Sequence, residues 1–167
     1  MTTLAAIDLA IELIRHYEGF VPQPYQDSEG IWTVGTGFTY WRGKPVTQHY
    51  PAAITAADDS KALSLYLLDT EDSLRRSMPN VWSALTKNQQ AALLSFSFNT
   101  GWECGDEGFD SLNKAVTSGK LYNVPVSLNK YTNGKLMGLV RRRRAEGLVW
   151  YGHSPADAVA IALEENP

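Results

Sequence analysis

The sequence changes character near residue 54, and this change limits the folds that the chain can adopt. Residues 19–54 are rich in glycine and aromatic residues and contain four prolines, at positions 22, 24, 45 and 51. Proline removes a backbone donor and glycine widens the allowed backbone conformations, so this stretch predicts turns and short strands. The later residues show mainly helical spacing. The sequence therefore predicts a mixed, mostly helical protein whose strands are confined to an early segment.

Start and stop signals divide the sequence after residue 54 into five helices. The first runs from the N-cap Thr55 to Met78 and is long enough to connect two lobes. A capping box at Thr86 opens the second helix, which ends at Gly101. The other three are expected from Asp110 to about Gly119, around Val140–Trp150, and from Ser154 onward.

An apolar run predicts one further helix, at the start of the chain, that ends at Glu18. Glycine commonly follows the last helical residue, and Gly19 does so here. The apolar positions that carry this prediction are Leu4, Ile7, Ile11 and Ile14. The next segment alternates in polarity around residues 31–34 and predicts a small β-hairpin. The carboxyl group of Glu18 is therefore expected to face this hairpin across a groove.

Two chemically suggestive residues, Asp27 and Thr33, follow Glu18 on the predicted hairpin. Two carboxyl groups in unlike environments are the basic requirement for hydrolysing a glycosidic bond. Each residue also has a structural explanation. Glu18 suits a solvated helix end, Asp27 suits a turn in which it caps backbone amides, and Thr33 suits a strand because it is β-branched. The residues alone leave both explanations open.

Composition excludes several classes of protein. The chain of 167 residues can bury a core without disulfides, and its single cysteine, Cys104, excludes an internal one. No segment reaches the ~18–20 apolar residues of a membrane-spanning helix, and the first residues lack the pattern of an export signal. His16, His49 and His153 have no ligand-like spacing, so neither a metal nor another cofactor is expected. The net charge of −3 argues against nucleic-acid binding.

Five motifs give the chain a specific resemblance. They are Glu18-Gly19, Tyr25-Gln26-Asp27, Trp32–Gly37, Ser97–Gly101, and Gly134–Arg143 followed by Glu146. Together they resemble the phage-type lysozymes of glycoside hydrolase family 24, over nearly the whole chain. The resemblance implies an α+β, mostly helical, two-lobed fold in a single domain, residues 1–167. A small β-containing lobe (about 15–54) and a connecting helix (about 55–78) precede a helical lobe (about 79–167), on which the N-terminal helix packs.

The resemblance also implies catalytic roles. Glu18 matches the general acid of the family, which protonates the oxygen of the leaving sugar. Asp27 matches its ionised partner, which stabilises positive charge at the anomeric carbon or positions water, and Thr33 matches the hydroxyl that holds the attacking water. The implied activity is that of an endolysin, a muramidase that cleaves the β-1,4 bond between N-acetylmuramic acid and N-acetylglucosamine in bacterial peptidoglycan.

Six further residues are expected to bind the substrate: Trp32, Phe38, Asn99, Asn113, Arg141 and Arg144. Trp32 could stack on a sugar face or belong to the core. Phe38 stands where many members of the resembled family carry histidine, and Asn99 could bind sugar or cap a helix. The run of four arginines could be a solvated helix face. Alternatively, one arginine pairs with Glu18 or Asp27 while others meet wall carboxylates, and positions 141 and 144 share a helix face.

The expected partner is peptidoglycan, acted on by a monomer that binds no nucleic acid and does not insert stably into a membrane. The resemblance implies that the protein stays in the cytoplasm of the host bacterium until a separate membrane-permeabilising protein releases it to the periplasm and wall. Two other functions remain open. One is a catalytically weak or inactive wall-binding module of the same fold, and the other is an enzyme that acts on a related amino-sugar polymer such as chitin.

Overall fold

A computed structural model describes residues 3–167, with side chains from residue 6 onward, so the side chain of Leu4 lies outside the described residues. The fold is mostly helical with two short hairpins, which confirms the expected α+β class. The helices are α1 (Thr3–Glu18), α2 (Ala56–Ser77), α3 (Pro79–Trp82), α4 (Lys87–Thr100), α5 (Asp110–Thr117), α6 (Val124–Leu128), α7 (Met137–Trp150) and α8 (Pro155–Glu165). The strands are β1 (Val21–Gln26), β2 (Trp32–Gly35), β3 (Tyr40–Trp41) and β4 (Lys44–Pro45).

The helix ends follow the signals in the sequence. Gly19 adopts a left-handed conformation with φ of 72°, and its N–H donates to the carbonyl of Arg15, which ends α1 after Glu18. The hydroxyl of Thr55 accepts from the N–H of Asp58 and completes the capping box of α2. The same arrangement at Thr86 opens α4. These local predictions are confirmed.

Two short helices were not predicted. Pro79 follows α2 as expected, but it also occupies the first turn of α3, where a missing N–H does no harm. Residues 121–128 form a 3-10 turn that continues into α6. This segment is too short for its apolar residues to show a helical period. The described helices include none that is both long enough and apolar enough to cross a membrane.

The protein has two hydrophobic cores, and Phe38 packs against both. The larger core is built by the helices, and α1 packs in it against α4, α7 and α8. The smaller core lies under the hairpins and consists of Val34, Trp41, Val46 and Ile54. Strands β1 and β2 are antiparallel, with Tyr25 opposite Thr33.

A buried carboxylate joins the first hairpin to two helices. Asp59 of α2 accepts hydrogen bonds from the N–H of Thr36 at 2.8 Å and from its hydroxyl at 2.7 Å. Arg15 of α1 donates to the same carboxylate at 2.9 Å. A Cβ atom at Gly35 would overlap Asp59 Oδ1 and lie 2.9 Å from Ile54, so the contact requires glycine there. The hairpin is thereby fixed relative to both helices.

Candidate active site

The carboxyl group of Glu18 is positioned by the end of α1 and by an arginine from α7. Because the helix stops at Gly19, the side chain of Glu18 lies at the edge of the helical lobe, where 28% of it is exposed. Arg142 donates from Nη1 to Oε1 of Glu18. No described residue donates a hydrogen bond to the second oxygen, Oε2, so that oxygen is available for chemistry.

A second, fully buried carboxylate holds this arginine in place. Oε1 of Glu146 accepts from Nε of Arg142 at 3.4 Å and from the hydroxyl of Ser95 at 2.8 Å. Oε2 accepts from Nη1 of Arg143. Acidic and basic groups thus alternate in the order Glu18, Arg142, Glu146, Arg143. Each buried charge has an opposite charge beside it, which offsets the cost of removing it from water.

Arg143 extends the network to Asn99. Burial lowers the pKa of Arg143, and the charge of Glu146 opposes this change. Its Nη2 donates to Oδ1 of Asn99, and its Nε donates to the carbonyl of Tyr131 at 3.2 Å. A guanidinium group has donors only, so the amide oxygen of Asn99 must face Arg143. The amide NH₂ is then left to donate to a ligand.

Glu18 and Asn99 line one cavity of about 560 Å³ between the two lobes. The hairpin side contributes Phe38 and Tyr40, and Tyr66 of α2 packs edge-to-face against Phe98 of α4 on the other side. The lining is completed by Gly37 and Thr39. The structure therefore brings together three residues selected from the sequence, Glu18, Phe38 and Asn99.

Asp27 lies in the turn between β1 and β2. Its Oδ1 accepts from the N–H groups of Glu29 and Ile31, both at 2.9 Å, so the expected capping of the turn is confirmed. No hydrogen bond from a described residue reaches Oδ2. Burial raises the pKa of Tyr25, and the negative charges of Asp27 and Glu18 raise it further. Asp27 itself does not belong to the lining of the cavity that holds Glu18.

Thr33 is buried opposite Tyr25 in the hairpin, on the same face of the sheet. Its hydroxyl donates to the carbonyl of Ile31 at 3.0 Å. The hydroxyl proton is thus used within the strand, and the lone pairs of Oγ1 remain as acceptors. A water molecule held by Thr33 would have to donate a hydrogen bond to it.

The sequence model of the phage lysozymes matches residues 15–146, which include Glu18 and the whole arginine run. The chain belongs to the phage lysozyme family. It is 31% identical over 143 residues to the endolysin of Acyrthosiphon pisum secondary endosymbiont phage 1, covering 80% of this chain and 89% of that one. Membership of the phage lysozyme family implies a hydrolase of the lysozyme type.

Solved structures support the same fold. The endolysin from Escherichia coli O157:H7 phage FAHEc1 aligns with a TM-score of 0.69 over 91% of this chain and 94% of that one, at 22% identity. The muramidase domain of SpmX from Asticaccaulis excentricus aligns with a TM-score of 0.62 over 86% and 95%, at 28% identity. The two-lobed lysozyme-like architecture of this phage lysozyme family member is therefore shown independently of its motifs.

Two of the selected arginines do not reach the cavity of this family member. Nε of Arg141 donates to the carbonyl of Asn166 at 2.6 Å, and Arg144 pairs with Glu165. Both lie against the C-terminal end of α8, outside the lining of the Glu18 cavity, and substrate binding by them stays a prediction. Positions 141 and 144 do share a helix face, but it is the face turned away from Glu18.

Trp32 and Asn113 also lie outside the lining of the Glu18 cavity. Trp32 is half-buried against the smaller core, as one of its two expected roles required. Oδ1 of Asn113 accepts from Nε1 of Trp102 and from the N–H of Gly105, both at 3.0 Å, and its amide nitrogen donates to the carbonyl of Asp106 at 2.8 Å. Asn113 thus holds the loop before α5, and its expected role in sugar binding stays a prediction.

The predicted pairing of one arginine of the run with Glu18 is confirmed. Four residues of the site were not singled out by the sequence: Arg142, Glu146, Tyr25 and Tyr66. A signal for the first two was present, because an acid at position 146 is four residues after Arg142 and three after Arg143, which is the spacing of helical ion pairs. No comparable signal marks the tyrosines. Among the described residues, no group of three or more His, Cys, Asp or Glu side chains could hold a metal ion.

Proposed function

We propose that this member of the phage lysozyme family is a muramidase that hydrolyses the β-1,4 bond between N-acetylmuramic acid and N-acetylglucosamine in peptidoglycan. The observation that supports it is the carboxyl group of Glu18 at the wall of the inter-lobe cavity, with Oε1 bound by Arg142. In this proposal Glu18 is the general acid and transfers its proton from Oε2 to the glycosidic oxygen. The bond to the anomeric carbon then breaks, and the leaving sugar departs as an alcohol.

Asp27 and Thr33 complete the proposed reaction. The carboxylate of Asp27, held through Oδ1 by two backbone N–H groups, stabilises the positive charge that develops at the anomeric carbon of the sugar that remains bound. A water that donates one hydrogen bond to Thr33 directs a lone pair at the anomeric carbon and transfers its other proton to Oδ2 of Asp27 as it attacks. Attack from the face opposite the leaving group would invert the configuration at that carbon.

Substrate binding in this proposal uses the walls of the same cavity. Phe38 offers an apolar surface, and the NH₂ of Asn99 donates to a sugar or acetamido oxygen. We expect the protein to act as a monomer on peptidoglycan and to reach it from the host cytoplasm with the help of a separate membrane-permeabilising protein.

The test is lysis of permeabilised Gram-negative cells by the parent protein and by Glu18→Gln. The matched control is Glu12→Gln, since Glu12 is an exposed glutamate on the same helix. We expect rapid loss of turbidity with the parent and the control, and a loss of at least a thousandfold in rate with Glu18→Gln at unchanged circular dichroism. Near-parental lysis by Glu18→Gln would overturn the assignment of the acid.

A second measurement separates the other functions that the sequence left open. If the parent pellets with purified walls but releases no reducing ends, it is a binding module. Turnover of chitin oligomers without turnover of peptidoglycan would instead indicate a different amino-sugar polymer. For the mechanism, the anomeric configuration of the first product, followed by NMR, tests inversion. Thr33→Val removes the oxygen that holds the attacking water and is expected to slow the reaction by about a hundredfold, which is the effect of a misplaced reactant.

A further inference from the structure

A second cavity, also of about 560 Å³, adjoins the cavity of Glu18. The two share three aromatic walls, Phe38, Tyr40 and Tyr66, so a polymer bound in the first cavity can reach into the second. The second cavity runs along α2, with the β3–β4 hairpin on its other side. No step of the proposed reaction uses it.

The charges of this second cavity are separated along α2. Arg42 and Lys61 lie at its hairpin end, together with Asp58. The carboxylate of Asp58 is already engaged by the hydroxyl and N–H of Thr55, and its contact with Arg42 is long, at 3.5 Å. The side chain of Arg42 is 73% exposed, so this end offers positive charge to a ligand.

The middle of the second cavity is apolar and its far end is acidic. Leu65 is 56% exposed, and Tyr66 is 45% exposed even though its ring also contacts Phe98, so both can meet a ligand in this cavity. Asp69 lies beyond them. From Lys61 to Asp69 the helix rises by about 12 Å. An extended peptide covers about 3.3 Å per residue, so four residues match this length.

We propose that this second cavity binds the peptide stem of peptidoglycan. The stem is attached to N-acetylmuramic acid, so a stem bound here would place the glycan strand in the first cavity, beside Glu18. Stem carboxylates bind Arg42 and Lys61, alanine methyl groups contact Leu65 and Tyr66, and the free amino group of a diamino acid binds Asp69. The proposal rests on the proposed function for the polymer, but it assigns a separate part of that polymer to a separate set of residues.

The test is an NMR titration of the intact protein with the free tetrapeptide L-Ala-γ-D-Glu-meso-diaminopimelic acid-D-Ala. We expect saturable shifts of the amide signals of Lys61, Leu65 and Tyr66. The dissociation constant should rise three- to tenfold in Lys61→Gln and further in the double variant with Arg42→Gln. The control is Lys114→Gln, an exposed lysine on α5, for which the constant should not change.

Two results would overturn the proposal. One is the absence of saturable shifts up to tens of millimolar tetrapeptide. The other is that glycan strands without stems move the same signals while the tetrapeptide does not, which would assign the cavity to sugar. Lysis of permeabilised cells by the same preparation distinguishes failure of the stem proposal from failure of the muramidase proposal. If the protein lyses cells but does not bind the tetrapeptide, only the stem site is refuted. If the protein binds the tetrapeptide but does not lyse cells, only the muramidase assignment is refuted.

Discussion

Arg142 of α7 donates a hydrogen bond to Glu18, the last residue of α1, across 124 positions of the sequence. Only 4% of the arginine side chain is exposed, and Glu146 accepts from its Nε. The position of the proposed catalytic acid therefore depends on the packing of α7 within the helical lobe. It is not determined by the hairpin that carries Asp27 and Thr33.

Replacing Arg142 should destabilise the protein as well as inactivate it. In Arg142→Gln, the buried Glu146 keeps only Arg143 as a charged partner, and Glu18 loses its own. Breaking a buried ion pair in this way costs about 3–5 kcal/mol, so we expect a loss of about 3 kcal/mol in the free energy of unfolding, measured by urea denaturation.

The matched control is Arg144→Gln, two positions along the same helix. Its ion pair with Glu165 is exposed, and exposed pairs contribute little to stability because water screens them. A similar loss of stability in both variants would show that the arginine run acts through general helix electrostatics and not through the pairing of Arg142.

Asn99→Asp tests which atoms of the side chain face the ligand. The substitution keeps an oxygen for Arg143 but replaces the NH₂ group with a second acceptor. We expect stability within about 1 kcal/mol of the parent, since the contact with Arg143 becomes charge-assisted, and an increase of about tenfold in KM for wall fragments. An unchanged KM would show that the amide donates nothing to the substrate.

Gly35→Ala tests the close approach of the hairpin to Asp59. The new Cβ atom would overlap Oδ1 of Asp59 and would also force alanine into a left-handed conformation, with φ of 64°. Overpacking and backbone strain together should cost about 3–4 kcal/mol. Gly37→Ala is the control, because its φ is also positive but its Cβ would meet no atom within 4 Å, so only about 1–2 kcal/mol is expected. Thermal or urea unfolding distinguishes the two.

The phenol group of Tyr17 should make the protein less stable at high pH. Burial, followed by the charge of Glu146, raises its pKa from about 10 to about 12. Between these values the unfolded chain releases the phenol proton and the folded protein keeps it, so the free energy of unfolding falls as pH rises from about 10 to about 12. The slope should be shallower in Tyr17→Phe. The control Tyr122→Phe, at a side chain that is 68% exposed, should retain the parental slope in urea denaturation at each pH.

Local signals in the sequence were sufficient for most helix boundaries. Gly19 and Gly101 end their helices in left-handed conformations because glycine has no Cβ atom, and this chemistry does not depend on distant residues. Pro79 was a weaker signal, since proline is acceptable both just after one helix and in the first turn of the next. The prediction there was right about the end of α2 and silent about α3.

The sequence could predict a site residue only where a local motif identifies it. It could not predict residues that reach the site through the packing of distant elements. Glu18 lies on the cavity as expected, but the choice among four consecutive arginines depended on which face of α7 is buried. Spacing alone could not decide this, and the pairing of Arg142 with Glu146 would have been the better guide. The hydrogen bonds of Asn113 could not be predicted, because its partners, Trp102 and the loop beside it, are brought to it by packing that no local pattern encodes.

The packing of α1 against α4, α7 and α8 has a consequence for the order of synthesis. The helix that carries Glu18 is translated before the hairpin lobe, and the helices that surround it are translated after that lobe. A nascent chain that stops before α7 contains Glu18, Asp27 and Thr33 but lacks Arg142 and Glu146. The protein therefore acquires its bound acid only when translation has passed residue 146, and shorter translation products should be unable to cut a wall.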